Sequence, residues 1–523
     1  MKKIHLPVGC ACCPMNRRKF LVTSSATACA CSLGLALGAK SSWAAGKASD
    51  KKLRIRVIYA LHAPVQSRPD WPNVGFDFRP VMQKWTKQFS ATFPAIEFLT
   101  TMSNGKEQTR AIIGKGEAEK IDGYIVCQMN CKNKVIETVA KTGKPTLYVD
   151  FLYGGTGRFL TQVAKLTDRK VKNVGFISSS DFDDVLRAVG CFQTCTDPNG
   201  FADAVTAVRV ACTPKAGDLT FKPDDVKTIS PEAWKKQLGK SKILAFKSNK
   251  TVKGQDRDYA GIPLVYLPFS ELNDAWKTAD RDQAKEVAAR WAKGAEKIEN
   301  VTQAELENSA AMYLGQKALL KKYAADAITI NCLGGFYGGH IHAYPCLGFH
   351  QLCNEGLIGG CECDVDSAAT MVALKNLTGG RTGFISDPVL DVAKREIIYA
   401  HCVASNRAFG PDGPANPYQI LTHSEDRKGA AVRSFYPEGY MATTIKMEPR
   451  GKTIGLHQVK TTGNSTDDRA CRTKLKGEVI GDFEKLYTYW HRYKWHRVTV
   501  YGDLKDQVYG MADALGWKVV EEA

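Results

Sequence analysis

Between residues 53 and 150 short apolar runs alternate with stretches of helical period. The runs at 53–60, 96–100, 124–128 and 145–150 are apolar almost throughout, as strands covered on both faces are. The segments 78–89, 107–120 and 132–142 between them have the spacing of helices. Strand–helix alternation of this kind predicts a parallel sheet with helices on both sides. A second alternating unit opens with a strand at 174–178. It continues with a helix at 181–190 and strands at 205–210, 243–246 and 264–267. A helix-rich stretch, 272–322, precedes a strand at 327–331. Ala368, Ala369, Met371, Val372 and Leu374 mark a helix over 366–377, stopped by Gly379-Gly380.

Beyond Gly380 the period changes. Strand-like runs at 382–386, 396–401, 440–447, 452–458 and 477–483 are separated by Pro, Gly and Asn, which predicts a mostly antiparallel unit. A last piece follows, with a strand at 498–501, a helix at 504–515 and a strand at 518–520. The predicted fold class is α/β, with two Rossmann-like parallel α/β domains and then a mostly antiparallel β domain. The expected boundaries are 46–170, 171–380 and 381–523, behind a segment at 1–45. A length of 523 residues agrees with more than one core.

Charge changes the picture less than its size suggests. The net charge is +18, but six of the cations lie in residues 1–45, which hold no acid. The rest are spread among acids, with no basic stripe interleaved with aromatics, so nucleic acid is not an expected partner. Residues 1–45 read as a targeting segment. Asn16-Arg17-Arg18-Lys19-Phe20-Leu21 is a twin-arginine pattern, a weakly apolar run follows over 22–39, and Ser42-Trp43-Ala44-Ala45 offers a cleavage site. Met15 is an alternative start, and Cys29 and Cys31 fit a lipidation site badly. The expectation is export to the periplasm by the twin-arginine machinery, which carries folded proteins.

Seventeen cysteines are present, five of them before residue 46. The others are scattered, including Cys127/Cys131 and Cys191/Cys195, and read as buried thiols in a chain of this size. Cys361-Glu362-Cys363 is a CxC, whose alternative is a thiolate zinc site with His401 and Cys402. Gly154-Gly155-Thr156-Gly157 has no Lys-Ser/Thr after it and is no phosphate loop.

The candidate chemistry lies in Glu362, Asp387, His401 and His496. Two carboxylates and two imidazoles suffice to hold one divalent ion with positions left for a substrate. Mixed oxygen and nitrogen donors suit Mn²⁺, Fe²⁺, Co²⁺ or Zn²⁺ better than Ca²⁺. Taken singly each has a plainer role: a glutamate at a helix start is a dipole partner, and a histidine at a strand end is a hydrogen-bonding group. His340-Ile341-His342 has metal-binding spacing or forms a polar loop. His350, Arg381, His423, Arg433 and His457 would touch sugar hydroxyls or serve structure. Tyr489, Trp490 and Trp495 would stack on a sugar or pack the last helix.

These residues resemble the L-fucose isomerase and L-arabinose isomerase superfamily. Cys361-Glu362-Cys363-Asp364-Val365-Asp366-Ser367-Ala368-Ala369 looks like the segment around its first metal-binding glutamate. Asp387 falls where the second metal carboxylate lies, His401 looks like the third ligand of arabinose-type members, and His496 resembles the last metal histidine. Where arabinose-type members have two adjacent histidines, this chain has Trp495-His496. The resemblance implies a metal site of Glu362, Asp387, His401 and His496, with Mn²⁺ as the ion. It also implies proton transfer by Glu362 and Asp387, with Asp364 as reserve acid or orienting group. The implied activity is aldose–ketose isomerisation of an unphosphorylated sugar through an enediolate, in a homo-oligomer. The alternatives are an exported sugar-binding protein without turnover, and an epimerase or lyase acting on a modified sugar.

Overall fold

The computed structural model describes residues 52–250 and 257–523. The twin-arginine pattern lies outside the described residues. No helix among them is long and apolar enough to cross a membrane. The fold is α/β, with two largely parallel sheets followed by a mostly antiparallel one.

The first sheet contains β1 (Leu53–Ala60), β2 (Ile96–Ser103), β3 (Gly123–Gln128), β4 (Thr146–Asp150) and β5 (Val174–Ile177). All run parallel in the order β2-β1-β3-β4-β5. β3 and β4 are buried along their whole length, which accounts for their mostly apolar sequences. The order reverses between β1 and β3. At such a switch point the loops leaving the carboxyl ends of the strands part and form a crevice.

The next strands are β6 (Ile243–Phe246), β7 (Arg257–Tyr259), β8 (Ile262–Leu267), β9 (Lys297–Glu299), β10 (Ala327–Ile330) and β11 (Ile358–Gly360). Five of them form the second sheet, in the order β11-β10-β6-β8-β7, parallel except for the β7 edge. β9 joins a small sheet with β14 (Tyr418–Leu421) and β15 (Ala431–Ser434). The third large sheet holds β12 (Phe384–Asp391), β13 (Glu396–His401), β16 (Met441–Glu448), β17 (Thr453–Asn464), β18 (Thr473–Ile480), β19 (Arg497–Tyr501) and β20 (Lys518–Glu521). Its order is β16-β19-β12-β13-β18-β17-β20, and β16 also pairs with β17. Six strands therefore close into a ring, which removes their free edges.

Some expectations need correction. The segment 205–210, predicted as a strand, belongs to the helix Phe201–Cys212, which buries Phe201, Val205 and Arg209 at four-residue intervals. The strand Val174–Ile177, predicted to open the second unit, is the edge of the first sheet. The helix predicted over 132–142 shrinks to Ile136–Val139 and a 3₁₀ turn. The helix Thr156–Asp168, which begins within the glycine-rich stretch, was not among the predicted elements.

Next to the ring Arg497 and Glu522 form a fully buried pair at 2.6 Å, and Arg497 stacks 4.0 Å from the Trp490 ring. Arg497 Nη2 also donates to the Trp490 carbonyl at 2.8 Å, while His457 Nδ1 lies 3.2 Å from Glu522. Removing the carboxylate would strand a buried guanidinium beside His496. Glu522→Ala is therefore expected to cost about 3–5 kcal/mol of unfolding free energy, read from urea midpoints. An unchanged midpoint would show that the pair does not hold β19.

Candidate metal centre and its cavity

The ring delivers three of the four candidate ligands. Asp387 lies in β12, and His401 is the last residue of β13. His496 immediately precedes β19, one step beyond the Ser386–Arg497 pair. β12 lies between β19 and β13, so Asp387 sits between the two imidazoles. Glu362 arrives from the second sheet, two residues after β11. It stands in a left-handed turn, φ +58° at Glu362 and +51° at Cys363. Such angles cost about 1–3 kcal/mol each in non-glycine residues. The helix that follows starts at Val365, so Glu362 is not in its first turn, and Asp364 takes the N-cap role.

Ligand atoms of Asp387, His401 and His496 all lie within 4.8 Å of one another. The imidazole rings of His401 and His496 are 5.3 Å apart. His496 Nε2 is 3.2 Å from Asp387 Oδ1 and 3.8 Å from Glu362 Oε2. Even so, Asp387 Oδ1, His401 Nε2 and His496 Nε2 are buried atoms without a hydrogen-bond partner. A buried polar atom left unsatisfied costs about 1–3 kcal/mol. Three converging on one point fit a divalent ion, whose donors crowd in this way. Cys361, Glu362 and His401 also bring ligand atoms within 4.8 Å. Cys363 faces a separate cavity with Lys247 and Tyr259, so the CxC does not place both thiols in one site. All twelve cysteines among the described residues are free.

Charge at the centre is unbalanced. Burial works against a charged His496, yet Asp387, Asp364 and Glu362 overcome it and raise its pKa to about 10. Burial pushes Glu362 up to about 7, with Asp387 and Glu425 adding to the shift and His496 opposing it. Burial lowers His401 to about 4, so its ring is neutral at neutral pH, as a metal ligand must be.

Asp364 sets the orientation. Its Oδ2 faces His496 Nδ1 at 3.0 Å and accepts from Lys446 Nζ at 2.7 Å, while Oδ1 accepts from the Ser367 amide. Burial alone would raise its pKa, but Lys446 and His496 hold it well below the usual carboxylate range. With Nδ1 donating to Asp364, Nε2 of His496 is left facing Asp387 and Glu362. This is the carboxylate–histidine arrangement that orients metal ligands.

A cavity of about 220 Å³ adjoins the centre, lined by Glu362, Asp387, Asp70, Trp71, Lys132, Arg158, Glu425 and Trp495, among others. Asp70 and Trp71 follow β1, Lys132 follows β3, and Arg158 follows β4, as the switch point in the first sheet demands. Of the lining residues, Asp70, Trp71, Lys132, Arg158 and Glu425 did not stand out in the sequence. The available signal was close backbone approach. A Cβ at Gly155 would lie 2.0 Å from the Gln128 carbonyl oxygen, and one at Gly157 would lie 2.1 Å from the Trp495 ring. The remaining candidates serve elsewhere: His350 bonds to Ala404, Arg381 to Asp224, His423 to Asp426, Arg433 to Gln419 and His457 to Tyr399. His340 bonds to Asn249, Trp490 is buried, and Tyr489 stacks under Arg492. Neither His340 nor His342 joins a metal-ligating group among the described residues.

No family model matches the chain. The curated relatives it resembles are sugar isomerases, and the particular name they carry is sulfoquinovose isomerase. The Priestia aryabhattai and Priestia megaterium proteins are each 25% identical over 196 residues, 35% of this chain and 41% of the relative. A Clostridium protein of that name is 26% identical over 226 residues, 42% of this chain and 49% of the relative. The chain thus matches less than half the length of these relatives. A solved sugar ABC transporter from Yersinia enterocolitica overlaps 54% of this chain and 65% of its own, at 12% identity and a TM-score of 0.16. That likeness carries no argument.

An ion entering this centre must displace the His496 proton. Between pH 7 and 10, where Glu362 is ionised and His496 still charged, Mn²⁺ affinity is expected to rise about tenfold per pH unit. Below that window Glu362 also holds a proton, and the dependence steepens. Calorimetric titration across neutral pH checks this, and an affinity independent of pH would exclude His496 from the ligand set.

Proposed function

We propose that this chain is a metal-dependent aldose–ketose isomerase acting on an unphosphorylated sugar. The observation that carries it is the convergence of three buried ligand atoms, on Asp387, His401 and His496, within 4.8 Å of one another and beside Glu362 at the wall of a cavity. The name shared by the curated relatives supports the class of reaction, and sulfoquinovose is the first sugar to assay.

Glu362, Asp387, His401 and His496 would hold the ion, Mn²⁺ in this assignment. When bound, it supplies a Lewis acid that polarises the sugar carbonyl and stabilises negative charge developing on its oxygen. Glu362, a carboxylate at the cavity wall, is placed to take a proton from a sugar carbon and give it back. It would remove the proton from C2 and return one at C1, while the hydroxyl proton passes from O2 to O1. The sugar neither gains nor loses electrons. Asp387 is the second carboxylate within reach of that transfer. Asp364 keeps the His496 ring in place, and Lys446 keeps Asp364 ionised. Trp495 gives the cavity an apolar wall, on which a sugar face can pack. The twin-arginine pattern supports a periplasmic location. Arg17→Lys with Arg18→Lys is then expected to leave precursor in the cytoplasm, and unchanged export would remove this assignment.

The function is tested by turnover of an aldose panel, sulfoquinovose included, with Mn²⁺ in D₂O. A substrate is expected to yield ketose and to acquire deuterium at C1 or C2. Glu362→Gln and Asp387→Asn are each expected to slow this by about 10²- to 10⁴-fold. Saturable binding with neither ketose nor exchange would mean a sugar-binding protein instead.

A further inference from the structure

Four carboxylates and two cations line the cavity beside the metal centre. Asp70 is fully engaged. Its Oδ2 faces His62 Nε2 at 2.7 Å and accepts the Lys132 amide at 2.9 Å, while Oδ1 accepts the Trp71 amide. Glu425 accepts from Tyr337 at 3.0 Å and faces Lys132 Nζ at 3.6 Å. Glu362 and Asp387 belong to the metal centre. Arg158 pairs with none of the four. Its Nε donates to the Cys131 carbonyl at 3.0 Å, which fixes the plane of the guanidinium. Among the described residues its two terminal nitrogens have neither a hydrogen-bond nor an ion-pair partner. Arg158 lies in the first turn of the helix Thr156–Asp168, which has no side-chain cap and no acid in that turn. Its dipole adds positive potential at the same place.

We propose that Arg158, with Lys132 beside it, forms a subsite for an oxyanion substituent of the sugar, a sulfonate or a carboxylate. The substituent would accept both terminal N–H groups of the fork, the geometry in which guanidinium binds planar or tetrahedral oxyanions best. A purely neutral sugar would leave that fork facing water. The subsite rests on the isomerase assignment for its substrate's being a sugar, but its anion preference is read by binding alone.

The test is calorimetry on the Mn²⁺-loaded protein with glucose, glucuronate and glucose bearing a 6-sulfonate. At least one acidic sugar is expected to bind tenfold or more tightly than glucose. In Arg158→Gln that ratio is expected to fall about tenfold, towards equal binding. In Arg158→Lys, which keeps the charge and loses the fork, it falls less. Equal binding of all three sugars by the native protein overturns the subsite, as does a ratio unchanged in Arg158→Gln. Should that variant not fold, the native ratio and Arg158→Lys decide. Acidic sugars held through Arg158 without ketose formation would remove the isomerase and leave the subsite. Ketose from glucose with no anion preference would do the reverse.

Discussion

The candidate centre depends on one buried carboxylate. Asp364 caps the helix Val365–Thr378, accepts from Lys446 on β16 and binds Nδ1 of His496. These contacts join the second parallel sheet to the antiparallel ring. Breaking one partner of such a pair in the interior costs about 3–5 kcal/mol, because the other charge is left without a counter-ion. Lys446 is fully buried, so Asp364 has no means of leaving. The ring of His496 is fixed as a consequence, and its Nε2 is aimed at Asp387 and Glu362.

The rest of the centre follows from where the charges are forced to lie. Register in the ring places Asp387 between two imidazoles. The turn after β11 brings Glu362 to the same point at the expense of two left-handed residues. A carboxylate-rich pocket attracts cations, and the surrounding carboxylates favour the charged form of His496. The field that raises the histidine pKa is the same field that would favour a divalent ion. On the far side of the strand, Arg497 and Glu522 keep the backbone beside His496 from shifting.

Much of this was legible in the sequence, and what was not has physical causes. The runs that became β1, β3 and β4 could be recognised because strands covered on both faces are mostly apolar along their length. The four candidate ligands were singled out by a family resemblance, and the fold brings Asp387, His401 and His496 together although Asp387 lies inside β12 and not at its end. The segment 205–210 misled because Val-Thr-Ala-Val-Arg-Val is rich in β-branched residues, which favour strands. Its helix was decided by the long-range partners of Arg209, which pairs with Glu484 at 2.6 Å and stacks on Phe176. Asp70, Lys132 and Arg158 stayed hidden because their connection to Glu362 exists only after the first sheet docks. The glycines at 155 and 157 were noticed, but their role in letting Gln128 and Trp495 approach is a tertiary fact.

The central claim is that one divalent ion sits among Asp387, His401, His496 and Glu362. Anomalous diffraction at the manganese edge from crystals of the Mn²⁺-loaded protein tests it most directly. The account predicts one strong peak within bonding distance of Asp387 Oδ1, His401 Nε2, His496 Nε2 and a Glu362 carboxylate oxygen. A loaded crystal with no peak there, or with its peak elsewhere in the chain, would contradict it.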